Sequence, residues 1–270
     1  MNVKIGFIGS GNMAQAIIGG MIDSKLVSKD NIYTTAVSDK TINLVKEKYG
    51  VNTSKDNKDV AKKTDIIFLA VKPNVYKTVI DEIKDVVDEN KLIVTIAAGQ
   101  TIENIEDMFG RELRIIRTMP NTPALVGEGM GLITANKKAT NEDVENVVKI
   151  FNSFGKSEIV EEALIDTAGS LSGCGPAYTY MYIEALADAA VESGVKRDLA
   201  YKLAAQMVLG SAKMVLESGE HPGALKDNVC SPGGTTIKGV NVLEKAGFRG
   251  VVIDALLASI NKTLEMSNKK

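Results

Sequence analysis

Along residues 1–162, short runs of β-branched and aliphatic residues alternate with stretches whose apolar positions recur three and four apart. That alternation of strand-like and helix-like patterning predicts a parallel sheet flanked by helices, an α/β domain of Rossmann type. Strands are predicted over Lys4–Ile8, Ile32–Val37, Ile66–Val71, Leu92–Ala97, Arg114–Thr118 and Gly131–Ala135. Helices are predicted over Met13–Met21, Thr41–Tyr49, Val75–Val87 and Glu142–Phe151. The first of these places Ala16, Ile17, Gly20 and Met21 on one face, so the chain opens as strand, Gly-rich turn, helix, strand.

After about Leu164 the β-branched runs give way to Ala-, Met- and Leu-rich stretches with helical spacing. Residues 163–270 are therefore expected to form an all-α domain. Its helices are predicted over Pro176–Ser193, Arg197–Glu217 and Gly247–Met266, with shorter ones over His221–Val229 and Thr235–Lys245. Ala185, Ala187, Ala189 and Ala190 make the first of these small and apolar on several faces, more than burial on one side requires. A subunit interface is the expected use. The uncharged stretch from Thr167 to Ile183 is interrupted by Gly169, Gly173, Gly175 and Pro176, too short and broken to span a bilayer. It reads as buried protein interior. The end of the chain, residues 267–270, reads as frayed and its lysines as solvated.

Composition narrows the chemistry. Lysine and arginine number 32 against 34 aspartates and glutamates, which gives no net electrostatic reason to expect nucleic acid or an anionic membrane as partner. With 44% apolar and 24% charged residues the chain can build a core. A single histidine, His221, excludes mechanisms that need several His ligands, and no metal is expected. The cysteines Cys174 and Cys230 form no CxxC, so neither a redox motif nor a thiolate zinc site is expected. Met1 leads straight into the apolar run Val3–Ile8 without the ordered parts of an export signal, and a reduced, cytoplasmic setting is the expectation.

Gly9-Ser10-Gly11-Asn12-Met13-Ala14 follows a predicted strand and opens a helix, the context in which a G-x-G-x-x-A run reads as a dinucleotide site. Gly9 permits the tight turn, Gly11 lets a pyrophosphate approach the amides at the helix end, and Ala14 allows close helix–strand packing. At the end of the second strand, Asp39 argues for NAD(H), whereas Ser38 and Lys40 admit the 2′-phosphate of NADP(H); Asp39 could also merely cap the next helix. Sequence leaves that choice open.

Beyond this turn, LAVKP at 69–73, RTMPNTPALVGEGM at 117–130, SGCGPAY at 172–178 and HPGALKDNVCSPGGTTIKGVNVLE at 221–244 resemble the pyrroline-5-carboxylate reductase family. The resemblance runs from Gly6 to Phe248. It implies reduction of L-Δ1-pyrroline-5-carboxylate to L-proline by NADP(H), with NAD(H) also accepted. A cyclic imine is readily protonated in water, so no side-chain base has to remove a proton and a site without His or Cys chemistry suffices. Such a site needs an anion cradle for the carboxylate and a hydrogen-bonding group beside the ring nitrogen.

Ser231, Gly233, Gly234 and Thr235 are candidates for the cradle, with backbone amides exposed where a helix begins. Thr236 stands where the family threonine reaches the substrate nitrogen, and it is the candidate catalytic residue. The competing reading is a Ser/Thr cap with proline at the first position of the Thr235 helix. Ala70, Val71, Lys72 and Pro73 end the third strand, where the family has a turn near the nicotinamide; Lys72 could equally be a solvated lysine. Asn121, in a turn held by Pro120 and Pro123, is a candidate polar contact to the coenzyme. Asn57 corresponds to a family asparagine at the adenosine end. Cys174 reads as small-residue packing, and His221 as helping to start a helix.

The resemblance further implies a homodimer, five such dimers assembling into a ring, with the SPGGTT segment meeting a coenzyme held by the neighbouring subunit. A β-hydroxyacid or 6-phosphogluconate type dehydrogenase would share the two-domain layout but needs a lysine shortly after a second Gly-x-Gly; Gly173-Cys174-Gly175 is followed by Pro176-Ala177-Tyr178-Thr179-Tyr180. A nucleotide sensor without chemistry would not need an intact SPGGTT.

Overall fold

A computed structural model describes residues 1–267. Strands β1 (Ile5–Ile8), β2 (Ile32–Thr35), β3 (Asn52–Ser54), β4 (Ile66–Leu69), β5 (Leu92–Thr95), β6 (Arg114–Met119), β7 (Gly129–Ala135) and β8 (Gly155–Ile159) form one eight-stranded sheet. Its order is β3-β2-β1-β4-β5-β6-β7-β8, parallel except between β6 and β7. The chain therefore builds outward from β1 in one direction through β2 and β3, then returns to build through β4 in the other. The reversal creates a crevice beyond the carboxyl ends of β1 and β4, where open α/β sheets bind ligands.

Helices α1 (Asn12–Asp23), α2 (Asp39–Tyr49), α3 (Asn57–Lys63), α4 (Tyr76–Ile83), α5 (Ile102–Phe109) and α6 (Asn141–Asn152) connect the strands. Alternate residues of the central strands feed two separate cores. Phe7 and Phe68 stack at 4.7 Å and join Ile17, Met21 and Phe151 in one; Ile8, Ile67 and Leu69 join Val79, Ile80 and Ile105 in the other. The β-branched runs follow from this, because strands covered on both faces need apolar side chains at every position.

The chain continues through α7 (Glu162–Glu192), α8 (Arg197–Ser218), α9 (Pro222–Asn228), α10 (Thr235–Lys245) and α11 (Phe248–Ser267). It divides into two compact units, one of residues 1–173 and 259–270, the other Cys174–Ala258, so that α7 and α11 each contribute to both. The α/β first region and the all-helical second region expected from sequence are both present.

Some expectations require correction. Pro176 does not start a helix but lies inside α7, which begins at Glu162. Proline at the first helical turn is the commoner placement, but packing onto the sheet carries this helix through it: Ile165, Gly169 and Ser170 are buried. The stretch Thr167–Ile183 is not interior throughout, since Leu171, Tyr180, Met181 and Tyr182 are exposed in the single chain. Ser267 is helical and donates to Asp166 Oδ2 at 2.9 Å rather than fraying; the remainder of the 267–270 expectation lies outside the described residues. Among the described residues no helix is long and apolar enough to cross a membrane.

Candidate active site

The turn after β1 is held on three sides. Gly9 N–H donates to Thr35 Oγ1 at 3.0 Å, and the buried Ser10 hydroxyl bonds the Thr35 carbonyl and Thr34 Oγ1, each at 2.7 Å. Ala70 N–H donates to the Ile8 carbonyl at 2.9 Å, which draws the Ala70–Pro73 turn alongside Gly9. Gly9 has φ +107°, and a Cβ there would lie 2.6 Å from the Ala70 carbonyl oxygen; only glycine fits. Gly11 is the opposite case. A Cβ on Gly11 would meet no protein atom within 4 Å, and Gly11 begins α1 without any side-chain cap.

The first amides of α1, including those of Asn12 and Met13, thus face open space at the positive end of a helix dipole. Helix α1 packs tightly where Ala14 is buried against the sheet. This arrangement fits a pyrophosphate, with amide donors, an electropositive helix end and room left by a missing Cβ.

At the end of β2, Ser38 rather than Asp39 caps α2, accepting from Thr41 N–H at 3.2 Å. Asp39 pairs with Lys55 at 2.7 Å, and both are exposed beside Lys40. Lys55 is therefore the cation paired with this carboxylate, and Lys40 follows it in sequence. Lys55 was missed in the sequence because it adjoins Asp39 only through pairing of β3 with β2, where Thr35 faces Ser54, and Asn52–Ser54 carries no strand-like apolar run. Asn57 opens α3 and donates to Glu82 Oε2 at 2.6 Å.

Lys72 and Pro73 are exposed at the mouth of the crevice, with Val71 half-buried behind them. A polar chain beneath them is another feature that sequence reading did not identify. Tyr76 OH donates to the Leu69 carbonyl at 2.7 Å and shares a 2.7 Å hydrogen bond with Thr95 Oγ1, while Thr118 Oγ1 donates to the Thr95 carbonyl at 2.8 Å. Burial pushes the Tyr76 phenol well above its ordinary pKa, so it remains a neutral donor. The chain pins the carboxyl ends of β4, β5 and β6 in register. Asn121, expected to face the coenzyme, is buried; its Nδ2 donates to the Ser172 carbonyl at 3.0 Å and its Oδ1 accepts from Met130 N–H at 2.8 Å.

In the other unit, Ser231 to Thr236 form a tight exposed turn, Gly234 N–H donating to the Ser231 carbonyl at 3.0 Å and Gly233 in the left-handed region at φ +71°. Gly234 begins α10 with no side-chain cap, and Thr235 and Thr236 occupy its first turn with exposed side chains. The competing reading of a Ser/Thr cap with proline at the first helical position is not realised, because Pro232 precedes the helix. The α10 amides are left to an external acceptor, as a carboxylate cradle requires. His221 does start α9, its Nδ1 accepting from Gly223 N–H at 3.0 Å. Gly9–Met13, Asp39 with its cations, and Ala70–Pro73 share the sheet-bearing unit, while Ser231–Thr236 belong to the helical one.

A doubly wound sheet with an uncapped Gly-rich first turn, followed by a helical region with a second uncapped Gly-rich turn, defines a two-region nucleotide-dependent oxidoreductase. Residues 4–99 match the family described as NADP oxidoreductase, coenzyme F420-dependent, and residues 162–266 match pyrroline-5-carboxylate reductase dimerisation. The pyrroline-5-carboxylate reductase of Escherichia coli K12 is 48% identical over 99% of both chains, and that of Arabidopsis thaliana is 42% identical over 98% of this chain and 95% of its own. Among solved structures, the Plasmodium falciparum pyrroline carboxylate reductase with NADP bound superposes with TM-score 0.90 at 38% identity, covering 99% of each chain. A Coxiella burnetii pyrroline-5-carboxylate reductase superposes with TM-score 0.93 at 37% identity over the full length of both. The chain belongs to the pyrroline-5-carboxylate reductase family.

Proposed function

We propose that this chain reduces L-Δ1-pyrroline-5-carboxylate to L-proline by hydride transfer from NAD(P)H, the last step of proline biosynthesis. The observation that carries the reading is the match along the whole chain, 48% identity over 99% of its length, which includes both Gly-rich turns. Bound NAD(P)H supplies the hydride. Gly9, Gly11, Asn12 and Met13 hold its pyrophosphate, Ser38, Lys40 and Asn57 its adenosine end, and Ala70, Val71, Lys72 and Pro73 border its nicotinamide half.

The backbone of Ser231, Gly233, Gly234 and Thr235 binds the substrate carboxylate at the α10 terminus. Thr236 places its hydroxyl beside the ring nitrogen, where it can accept from a protonated imine and from the product amine. The nitrogen arrives already protonated from water, so the residues orient and stabilise and no side chain has to exchange a proton. Lys55 offsets the charge of Asp39, which supports use of NADPH alongside NADH.

Residues 1–162 serve as the dinucleotide-binding domain and 163–270 as the dimerisation and substrate domain of a homo-oligomer. Five dimers in a ring and a cytoplasmic location complete the reading, with a small-molecule substrate and neither nucleic acid nor membrane as partner. Oxidation of NADPH on addition of pyrroline-5-carboxylate, with proline as product, tests it. NADPH binding without turnover would make the chain a sensor instead.

A further inference from the structure

Helix α7 contains a proline at position 176, and a proline has no N–H to give to the carbonyl four residues earlier. That carbonyl belongs to Ser172. In an unbroken helix it would accept from the backbone N–H of residue 176. Here Asn121 Nδ2 donates to it at 3.0 Å. The other end of the same amide is fixed as well: Oδ1 accepts from Met130 N–H at 2.8 Å in β7. Because Met130 N–H can only donate and the Ser172 carbonyl can only accept, the two partners determine the orientation of the amide. Asn121 is buried, in the turn between β6 and β7.

We propose that Asn121 is a positioning residue for the reduction rather than a contact to the coenzyme: its side chain replaces the helical hydrogen bond that Pro176 cannot make. One amide thereby fixes the Met119–Pro123 turn, the start of β7 and the point at which α7 loses its own hydrogen bond. Two nearby features point the same way. A Cβ on Gly169 would collide with Met119 Sδ, so α7 and the end of β6 are in close contact one turn before Ser172. Arg117, also in β6, forms a buried ion pair with Asp166 of α7. β6, the turn after it and the first half of α7 are thus joined at Arg117, Met119 and Asn121 in succession. The proposal rests on the proposed reduction and on the reading that this turn lies beside the coenzyme.

The test is a double-mutant cycle between Asn121→Ala and Pro176→Ala in the full-length chain. Pro176→Ala restores an N–H that can serve the Ser172 carbonyl, so it should make the Asn121 donor redundant, while the Met130 bond is lost in both backgrounds. At saturating NADPH, kcat for pyrroline-5-carboxylate reduction is expected to fall about tenfold further when Asn121→Ala is made beside Pro176 than beside Ala at that position, the worth of roughly one hydrogen bond. The dissociation constant for NADPH, read by fluorescence, is expected to stay within about twofold throughout, as it should where a residue acts through positioning.

An equal loss in both backgrounds with weakened NADPH binding would make Asn121 a coenzyme contact and overturn the proposal. Coupling seen only in Tm, with kcat unmoved, would make the bond structural and overturn it too. If Asn121→Ala alone does not fold, recovery of folded protein on adding Pro176→Ala supports the proposal, and failure to recover it contradicts it. Should the wild type not turn over pyrroline-5-carboxylate, the reading under Proposed function fails, and Tm coupling still reports whether Asn121 serves the Ser172 carbonyl.

Discussion

The two compact units spend their apolar residues differently. In the sheet-bearing unit, Phe7, Phe68, Ile67 and Ile17 are wholly buried, and two cores cover both faces of the sheet. In Cys174–Ala258 the buried apolar residues are only Ala187, Ala200 and Ala204, while Met181 is 68% exposed and Leu216 84% exposed, with Leu203, Leu209 and Val252 also open. The helical unit is the richer in apolar side chains, 44 of 85 residues against 76 of 185, yet it is the sheet-bearing unit that buries them within a single chain. Soluble monomers rarely leave so many large apolar side chains open in one region. The helical region therefore has a core that is completed by another copy, consistent with its match to a dimerisation family.

The sharpest contrast is obtained by truncating one apolar residue in each unit. Phe68→Ala removes a fully buried ring stacked on Phe7 and is expected to cost about 3–5 kcal/mol, measured by denaturant unfolding. Leu203→Ala should be nearly neutral, within about 0.5 kcal/mol, if the exposure seen in one chain persists in solution. If a second copy covers Leu203, the same change costs about 1.5–3 kcal/mol and makes the loss depend on protein concentration. The second result is expected, since the helical region buries so few apolar side chains by itself.

Thr236→Val tests whether the exposed start of α10 does chemistry or merely begins a helix. It keeps β-branching and volume while removing the hydroxyl, and the expected loss is about 1.5–3 kcal/mol, roughly ten- to more than hundredfold in kcat/KM, with NADPH affinity unchanged. Unchanged kcat/KM for pyrroline-5-carboxylate would reduce Thr236 to a helix-start residue. Loss of NADPH binding as well would break the division of labour between the two regions.

The smallest effect is expected at Asp39. Its pairing with Lys55 already offsets the carboxylate, so Asp39→Ser should improve NADPH relative to NADH by only about two- to fivefold, the scale of an exposed ion pair. An unchanged ratio of the two kcat/KM values would show that this side chain does not read the ribose.

What could be read from sequence follows the same division. The central strands were legible because they are buried on both faces and so consist of unbroken apolar runs such as Ile66–Leu69. β3 and β8 were not, since Asn52–Ser54 and Gly155–Ile159 lie at the two edges of the sheet and are largely polar or exposed. Helix α5 was missed despite a legible start and stop, Thr101 accepting from Asn104 N–H at 3.1 Å and Gly110 closing it at φ +68°. Within the candidate site, the Gly-rich turns were readable from local spacing. The Asp39–Lys55 pair, the Tyr76–Thr95–Thr118 chain and the inward role of Asn121 were not, because each depends on strand or helix neighbours distant in sequence. Pro176 misled for a related reason: a proline favours a helix start on local propensity, whereas here it lies inside α7 and the Ser172 carbonyl accepts from Asn121, a residue of another element distant in sequence.

Whether a second copy of the chain completes the helical region is decided by the light-scattering mass of the purified protein across a dilution series, with activity followed in parallel. The expected mass is at least two 28.9 kDa chains, with loss of activity wherever dilution yields monomer. A mass equal to one 28.9 kDa chain with full activity retained would contradict it.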